Sequence, residues 1–173
     1  MAQIKEPSKA KLIVGLMYSN DQILARALYC LVQQFGPIQI NGPTIEFNFT
    51  KYYEEEMGEL LKKTYIAFTA PIKIESLPEI KQFTNKIECD LSKQEKRTIN
   101  IDPGYVTVNQ VVLASAKEHP HRIYLSCGIY GQIVLVFCRN EWIPVEKTFA
   151  DYKQKEVKEF LISVRSDIVT IKH

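Results

Sequence analysis

The chain has 173 residues, 46% of them hydrophobic and 24% charged, the profile of one globular domain with a substantial core rather than of a disordered or fibrous chain. Its 22 basic and 20 acidic residues leave a formal charge of +2, which excludes recognition of nucleic acid or a membrane by long-range attraction while still allowing a local basic patch. Four cysteines, Cys30, Cys89, Cys127 and Cys138, show no Cys-x-x-Cys spacing, so they read as reduced and mostly packed rather than as a zinc knuckle or a redox pair.

Residues 1–10 are polar and are expected to fray. They lack the long apolar run of a secretory signal, and Leu12–Tyr18 is far too short to span a membrane, so a cytoplasmic location is expected. From Leu12 the run LIVGLMY is apolar without alternation, as in a central strand covered on both faces. Ser19 and Gln22 make a capping box for a helix whose Ile23, Leu24, Ala27, Leu28, Leu31, Val32 and Phe35 form one apolar face, stopped by Gly36 and Pro37. Ile45, Phe47 and Phe49 alternate with polar residues as a strand, and Thr64–Thr69 reads as another. The charged stretch between them predicts a turn or short helix packed through Tyr52, Tyr53 and Met57. Ser76 and Glu79 start a second long helix, apolar at Ile80, Phe83, Ile87 and Leu91.

Ile99 and Ile101 predict a short strand ending in a type II turn at Asp102-Pro103-Gly104, where proline presets φ and glycine tolerates a positive one. Thr107 and Gln110 make a third capping box, and Val108, Val111, Val112 and Ala116 then predict a helix that must finish by His119 because of Pro120. Alternation resumes at Ile123–Cys127, turns through Gly128–Gly131 into IVLVF, and turns again at Asn140-Glu141 into a strand around Trp142–Val145. A closing helix carries Val157, Phe160, Leu161, Val164 and Ile168. The order β-α-β-β-α-β, then α-β-β-β-α, predicts one α+β domain over residues 1–173: a two- or three-layer sandwich with a mixed sheet, ferredoxin-like in its first half.

No Walker-type phosphate loop is present, and no catalytic signature for covalent or zinc chemistry emerges. Asn85-Lys86-Ile87-Glu88 resembles a guanine-reading tetrapeptide but lies within an amphipathic helix and ends in Glu, so a structural role is expected. Asp102 admits two readings: the carboxylate that opens a turn, or a ligand group at the carboxyl end of a strand. A parallel crossover from Ile99 to Leu125 would bring Tyr130 to the edge that holds Asp102 and Tyr105, with Tyr53 and Glu56 closing over them, and would leave His119 and His121 opposite.

Lys117, His119 and His121 are secondary candidates for an anion site; proline between the histidines makes a divergent pair, and no metal site is expected. Arg122 and Tyr124 share a strand face, with Ile123 and Leu125 pointing into the core. A guanidinium on an interior strand needs a carboxylate, such as Glu46 or Glu56, or a bound anion.

The segments FGPI (35–38), FTKYYEEEMG (49–58), INIDPGY (99–105) and HRIYLSCGIY (121–130) together resemble the prokaryotic domain-of-unknown-function family 4416, some members of which are labelled GTP-binding proteins. The resemblance implies membership over nearly the whole chain and no particular reaction or cofactor. The expected function is binding of an unidentified small molecule, nucleotide or other anion near Asp102, with or without catalysis. The alternative is a non-catalytic module that presents an exposed sheet face to a protein or RNA.

Overall fold

The computed structural model describes residues 3–7 and 9–170. Of the segment expected to fray, residues 3–7 and 9 are exposed and form no regular element, Ala10 already begins a strand, and residues 1, 2 and 8 lie outside the described residues.

Strand β1 (Ala10–Tyr18) is buried at every position, which explains why its sequence does not alternate. Helix α1 (Asp21–Phe35) follows, capped by Asn20 rather than Ser19: the Asn20 side chain accepts from the backbone N–H groups of Gln22 and Ile23 at 2.8 and 3.3 Å. Ser19 instead donates to the Met57 carbonyl, 3.0 Å away. Then come β2 (Ile38–Glu46), a four-residue helix α2 (Glu54–Met57), β3 (Lys62–Ile72) and α3 (Leu77–Leu91). Phe47 and Phe49 fall beyond β2, in the loop leading to α2.

The next element differs most from expectation. Strand β4 (Ile99–Val106) runs straight through Asp102-Pro103-Gly104, with Pro103 opposite Val14 and Gly104 opposite Ile13 on β1. Proline is tolerated because β4 has no partner strand on its other side at that position; pairing with β5 (Gln110–Ser115) begins only at Gly104. Gly104 is needed for close approach and not for a turn, since a Cβ there would lie 2.4 Å from the Val112 carbonyl oxygen.

The expected helix after Thr107 is β5 itself. Thr107 Oγ1 accepts from the N–H groups of Asn109 and Gln110 at 3.2 and 3.1 Å, the local chemistry of an N-cap, but Thr107 N also donates to the Gln110 carbonyl and the chain turns back as a hairpin. Strands β6 (Ile123–Ser126), β7 (Ile129–Cys138) and β8 (Glu141–Pro144) follow, joined to one another by two-residue turns. Cys127-Gly128 and Arg139-Asn140 have positive φ throughout, as type I′ hairpins require. Helix α4 (Lys155–Thr170) closes the described chain.

The sheet order is β2-β3-β1-β4-β5-β7-β6, with β8 also on β7, and every pairing is antiparallel rather than mixed. Alternation along the strands sorts side chains into two layers. Leu12, Val14, Leu16, Ile99 and Ile101 pack under α1 and α3, while Ile13, Tyr65, Val106, Leu113 and Trp142 pack under α4. The chain is thus an α+β protein with an antiparallel sheet between helical layers. No helix among the described residues is long and apolar enough to cross a membrane. The four cysteines are free, but Cys89, Cys127 and Cys138 are exposed rather than packed, because they fall at a helix end and at strand ends.

Candidate functional site

Strands β4 and β5 pair only between Gly104–Val106 and Val111–Leu113. Beyond that seam they diverge, and a cavity of about 620 Å³ opens between them, walled by Asn100 and Asp102 of β4 and by the stretch from Ala114 to Lys117. Separation leaves the free edge of β4 short of backbone partners, and α3 supplies them: Ile101 N–H donates to Glu88 Oε1 at 2.6 Å, and Lys81 Nζ donates to the Ile101 carbonyl at 2.7 Å.

The floor is a buried ion cluster. Lys63 enters from β3, two strands away from Asp102, and its stem passes over Gly15 of the intervening β1; a Cβ at Gly15 would stand 3.0 Å from Lys63 Cε. Lys63 Nζ lies 3.2 Å from Asp102 Oδ2 and 2.9 Å from Asp151 Oδ2. Tyr65 Oη donates to the same Asp151 oxygen at 2.7 Å, and Asn100 Nδ2 donates to Asp102 Oδ2 at 2.9 Å. Burial alone would lower the Lys63 pKa, but Asp102 and Asp151 outweigh it and hold the ammonium well above its ordinary value. Burial would likewise raise Asp102, yet Lys63 and Lys81 bring it below the usual carboxylate range. Glu88 goes the other way, raised chiefly by burial despite Lys81 nearby. The two carboxylates thus favour the ammonium form of Lys63.

At one wall Arg97 grips Glu56 through Nε at 3.0 Å and Nη2 at 2.6 Å, and its Nη1 donates to Asn100 Oδ1 at 3.1 Å. Arg122 has no such carboxylate. Its Nε donates to Gln132 Oε1 at 3.0 Å, and Nη1 donates to Ser115 Oγ and the Lys117 carbonyl, both at 2.7 Å. All three acceptors are neutral, and no protein group receives a hydrogen bond from Nη2 among the described residues. Burial lowers the pKa of Arg122 and outweighs the opposing charge of Asp102, which is not in contact with it.

Of the residues singled out in the sequence, Asp102, Tyr53, Arg122 and Lys117 line this cavity, and Glu56 stands behind its wall on Arg97. Tyr105 does not, because with odd spacing from Asp102 it points to the opposite sheet face, packed with Leu77 and Ile129. Tyr130 and Tyr124 stack edge to face on the β6-β7 hairpin, 5.4 Å between centroids, outside the cavity, and the parallel crossover that would have moved Tyr130 toward Asp102 does not exist. His119 and His121 lie side by side on the surface, 5.3 Å apart, also outside it. Arg122 precedes β6, which is an edge strand with every residue exposed, so Ile123 and Leu125 are not core residues as expected. Neither Glu46 nor Glu56 pairs with Arg122.

Lys63, Lys81, Glu88, Arg97, Asn100 and Asp151 escaped the sequence reading. One signal was available: Lys81, Thr84 and Glu88 recur at helical spacing beside Ile80, Ile87 and Leu91, which places charges within a stripe that should be buried. Asn85 and Glu88 do both reach the cavity, whereas Ile87 is core, as its place in the stripe predicts. No group of three or more His, Cys, Asp or Glu side chains able to hold a metal occurs among the described residues.

No curated protein matches the chain. No solved structure matches it either. A family profile does, over residues 8–167, including the seam, the cavity walls and the ion cluster, so the chain belongs to the family described as domain of unknown function DUF4416.

Proposed function

We propose that the cavity between β4 and β5 binds a small anionic ligand, a phosphate or carboxylate, through Arg122, Ser115 and Lys117. One observation carries this. Five cationic side chains line the cavity, and three are neutralised in place: Lys63 by Asp102 and Asp151, Lys81 by Glu88 and Asp102, and Arg97 by Glu56. Arg122 and Lys117 have no carboxylate partner among the described residues, so the uncompensated positive charge of the cavity is concentrated at one end. A half-buried guanidinium with both hydrogens of Nη2 unengaged can donate from that nitrogen to an anion.

We propose also that the first half is ferredoxin-like. The local order β2-β3-β1-β4, with α1 and α3 as the connections packed on one face, supports it. A cytoplasmic location fits four cysteines left as free thiols.

The test is thermal unfolding with inorganic phosphate in the millimolar range. Phosphate should raise Tm, by mass action on the native state, at constant ionic strength set with chloride. Arg122→Ala should abolish the rise and Arg122→Lys should leave only part of it, since a lysine cannot keep the contacts to Gln132, Ser115 and the Lys117 carbonyl and also donate to the anion. Equal Tm shifts in all three proteins would sink the assignment.

A further inference from the structure

The mouth of the cavity is aromatic to an extent that packing does not require. The loop from Phe47 to Tyr53 brings Phe47, Phe49, Tyr52 and Tyr53 to it, and Phe149 arrives from the segment before α4. Most of these rings are already engaged. Phe47 packs on the Met17, Met57 and Leu61 cluster and meets Tyr53 edge on at 6.1 Å; Lys117 Nζ lies 4.8 Å from the Tyr52 centroid, and Arg97 Cζ 5.7 Å from that of Tyr53.

Two rings differ. Phe49 is 37% exposed and has Phe47, met edge to face, as its one aromatic partner among the described residues, and Phe149 is 40% exposed with no aromatic or cationic partner among them. Phenylalanine has no polar atom to offer water, so leaving a ring exposed forgoes the gain from burying it. Two such rings, from loops about a hundred residues apart in sequence, border one concave site that also carries uncompensated positive charge. That conjunction is unlike a scattering of single surface hydrophobics. Ala114 and Ala116 on the β5 side keep the adjoining wall free of bulk.

We infer that the ligand of this cavity is an anion carrying a flat aromatic ring, its charged group on Arg122 and Lys117 and its ring against Phe49 and Phe149. This rests on the anion site proposed above and adds the ring. The charged end alone would suit any phosphate or carboxylate; the exposed phenyl rings select among them, because stacking on an aromatic face needs a π surface on the ligand and not a particular hydrogen-bond pattern.

Calorimetric titration with matched pairs separates the two claims: phenyl phosphate against methyl phosphate, and benzoate against acetate. In at least one pair the ring-bearing anion should bind about tenfold more tightly, the discrimination expected of one good stacking contact. Phe49→Ala and Phe149→Ala, exposed positions whose loss leaves the core intact, should erase that preference without weakening methyl phosphate or acetate. Arg122→Ala should weaken every anion. Binding of all four anions with no preference for a ring would overturn the inference and leave the anion site standing, whereas failure of all four to bind would remove both. A ring preference that survives both phenylalanine variants would also overturn it, since the ring would then be recognised elsewhere.

Discussion

The two halves of the sheet are built from similar strands and are stabilised differently. Strands β1 and β4, central in the first half, lie between two layers of helix, so Leu12 and Ile13, successive residues of β1, are both buried, one under α1 and α3 and the other under α4. Strands β5, β6 and β8 all pair with β7, and the α4 face of this half is covered by Val157, Leu161 and Val164, while on the other face Ile123, Leu125, Ile133 and Ile143 are substantially exposed. The cavity opens where the halves meet, because β4 is committed to β1 along its whole length and to β5 over only three residues. A seam that short leaves room for side chains, and the side chains found there are charged.

Substitutions can test this contrast. Leu12→Ala, wholly buried in the doubly covered half, should cost about 2–5 kcal/mol in denaturant unfolding, the range for large-to-small changes in a close-packed core. A loss within about 0.5 kcal/mol would mean that the α1 and α3 layer is not packed as described.

At the seam, Gly104→Val should destabilise by about 1–3 kcal/mol or more, since even its Cβ meets the Val112 carbonyl oxygen and Leu113 and the strands must part. Gly104→Ala should behave similarly, which distinguishes close approach from a turn requiring positive φ. There a D-alanine introduced by chemical synthesis would restore stability; here it should not.

The ion cluster predicts a pH dependence. Asp102 has a folded-state pKa below its unfolded value of about 3.9, so the native state binds fewer protons than the unfolded one between the two values. Its stabilisation is present above the unfolded value and lost as pH falls through the folded one. Wild type should therefore lose more stability between pH 7 and pH 3 than Asp102→Asn does, measured by chemical unfolding at both pH values. Parallel losses in the two proteins would detach Asp102 from Lys63. Glu56 and Asp167, whose pKa values are also lowered, contribute equally to both and cancel in the difference.

The smallest effect belongs to the bare face. Ile123→Ala, at 70% exposure on the edge strand, should change stability by no more than about 0.5 kcal/mol in the monomer. A loss comparable to that of Leu12→Ala would show that this face is covered in solution, and light scattering would then report a larger particle.

Several elements were legible because their signals are local. The apolar stripe of α1 and the Gly36-Pro37 stop need only one helix and its end, and the stripe of α4 likewise reports one face against one core. The Thr107-Gln110 pattern was legible as chemistry and misleading as structure. The hydroxyl does capture the N–H groups two and three residues on, but that capture serves a helix start and a tight hairpin equally well. Val111 to Ala114 is buried at every position, so β5 has no alternation to report, and its spacing also satisfies a helix. Reading β5 as a helix then implied a crossover, which misplaced Tyr130 and hid the seam.

Periodicity, caps and unusual polar residues are written along the chain, and they suffice for the α+β class, the order of the elements through β4, the family and the candidacy of Asp102, Arg122, Lys117 and Tyr53. Strand pairing in three dimensions makes the sheet antiparallel throughout, sets Asp102 on a strand beside Lys63 rather than on a turn, and leaves Arg122 without a carboxylate partner among the described residues. Those facts depend on which strands pair and where they part. The contacts that decide it, Lys63 crossing Gly15 to reach Asp102 and Asp151 from the far end of the chain, join residues whose separation in sequence carries no mark of their meeting.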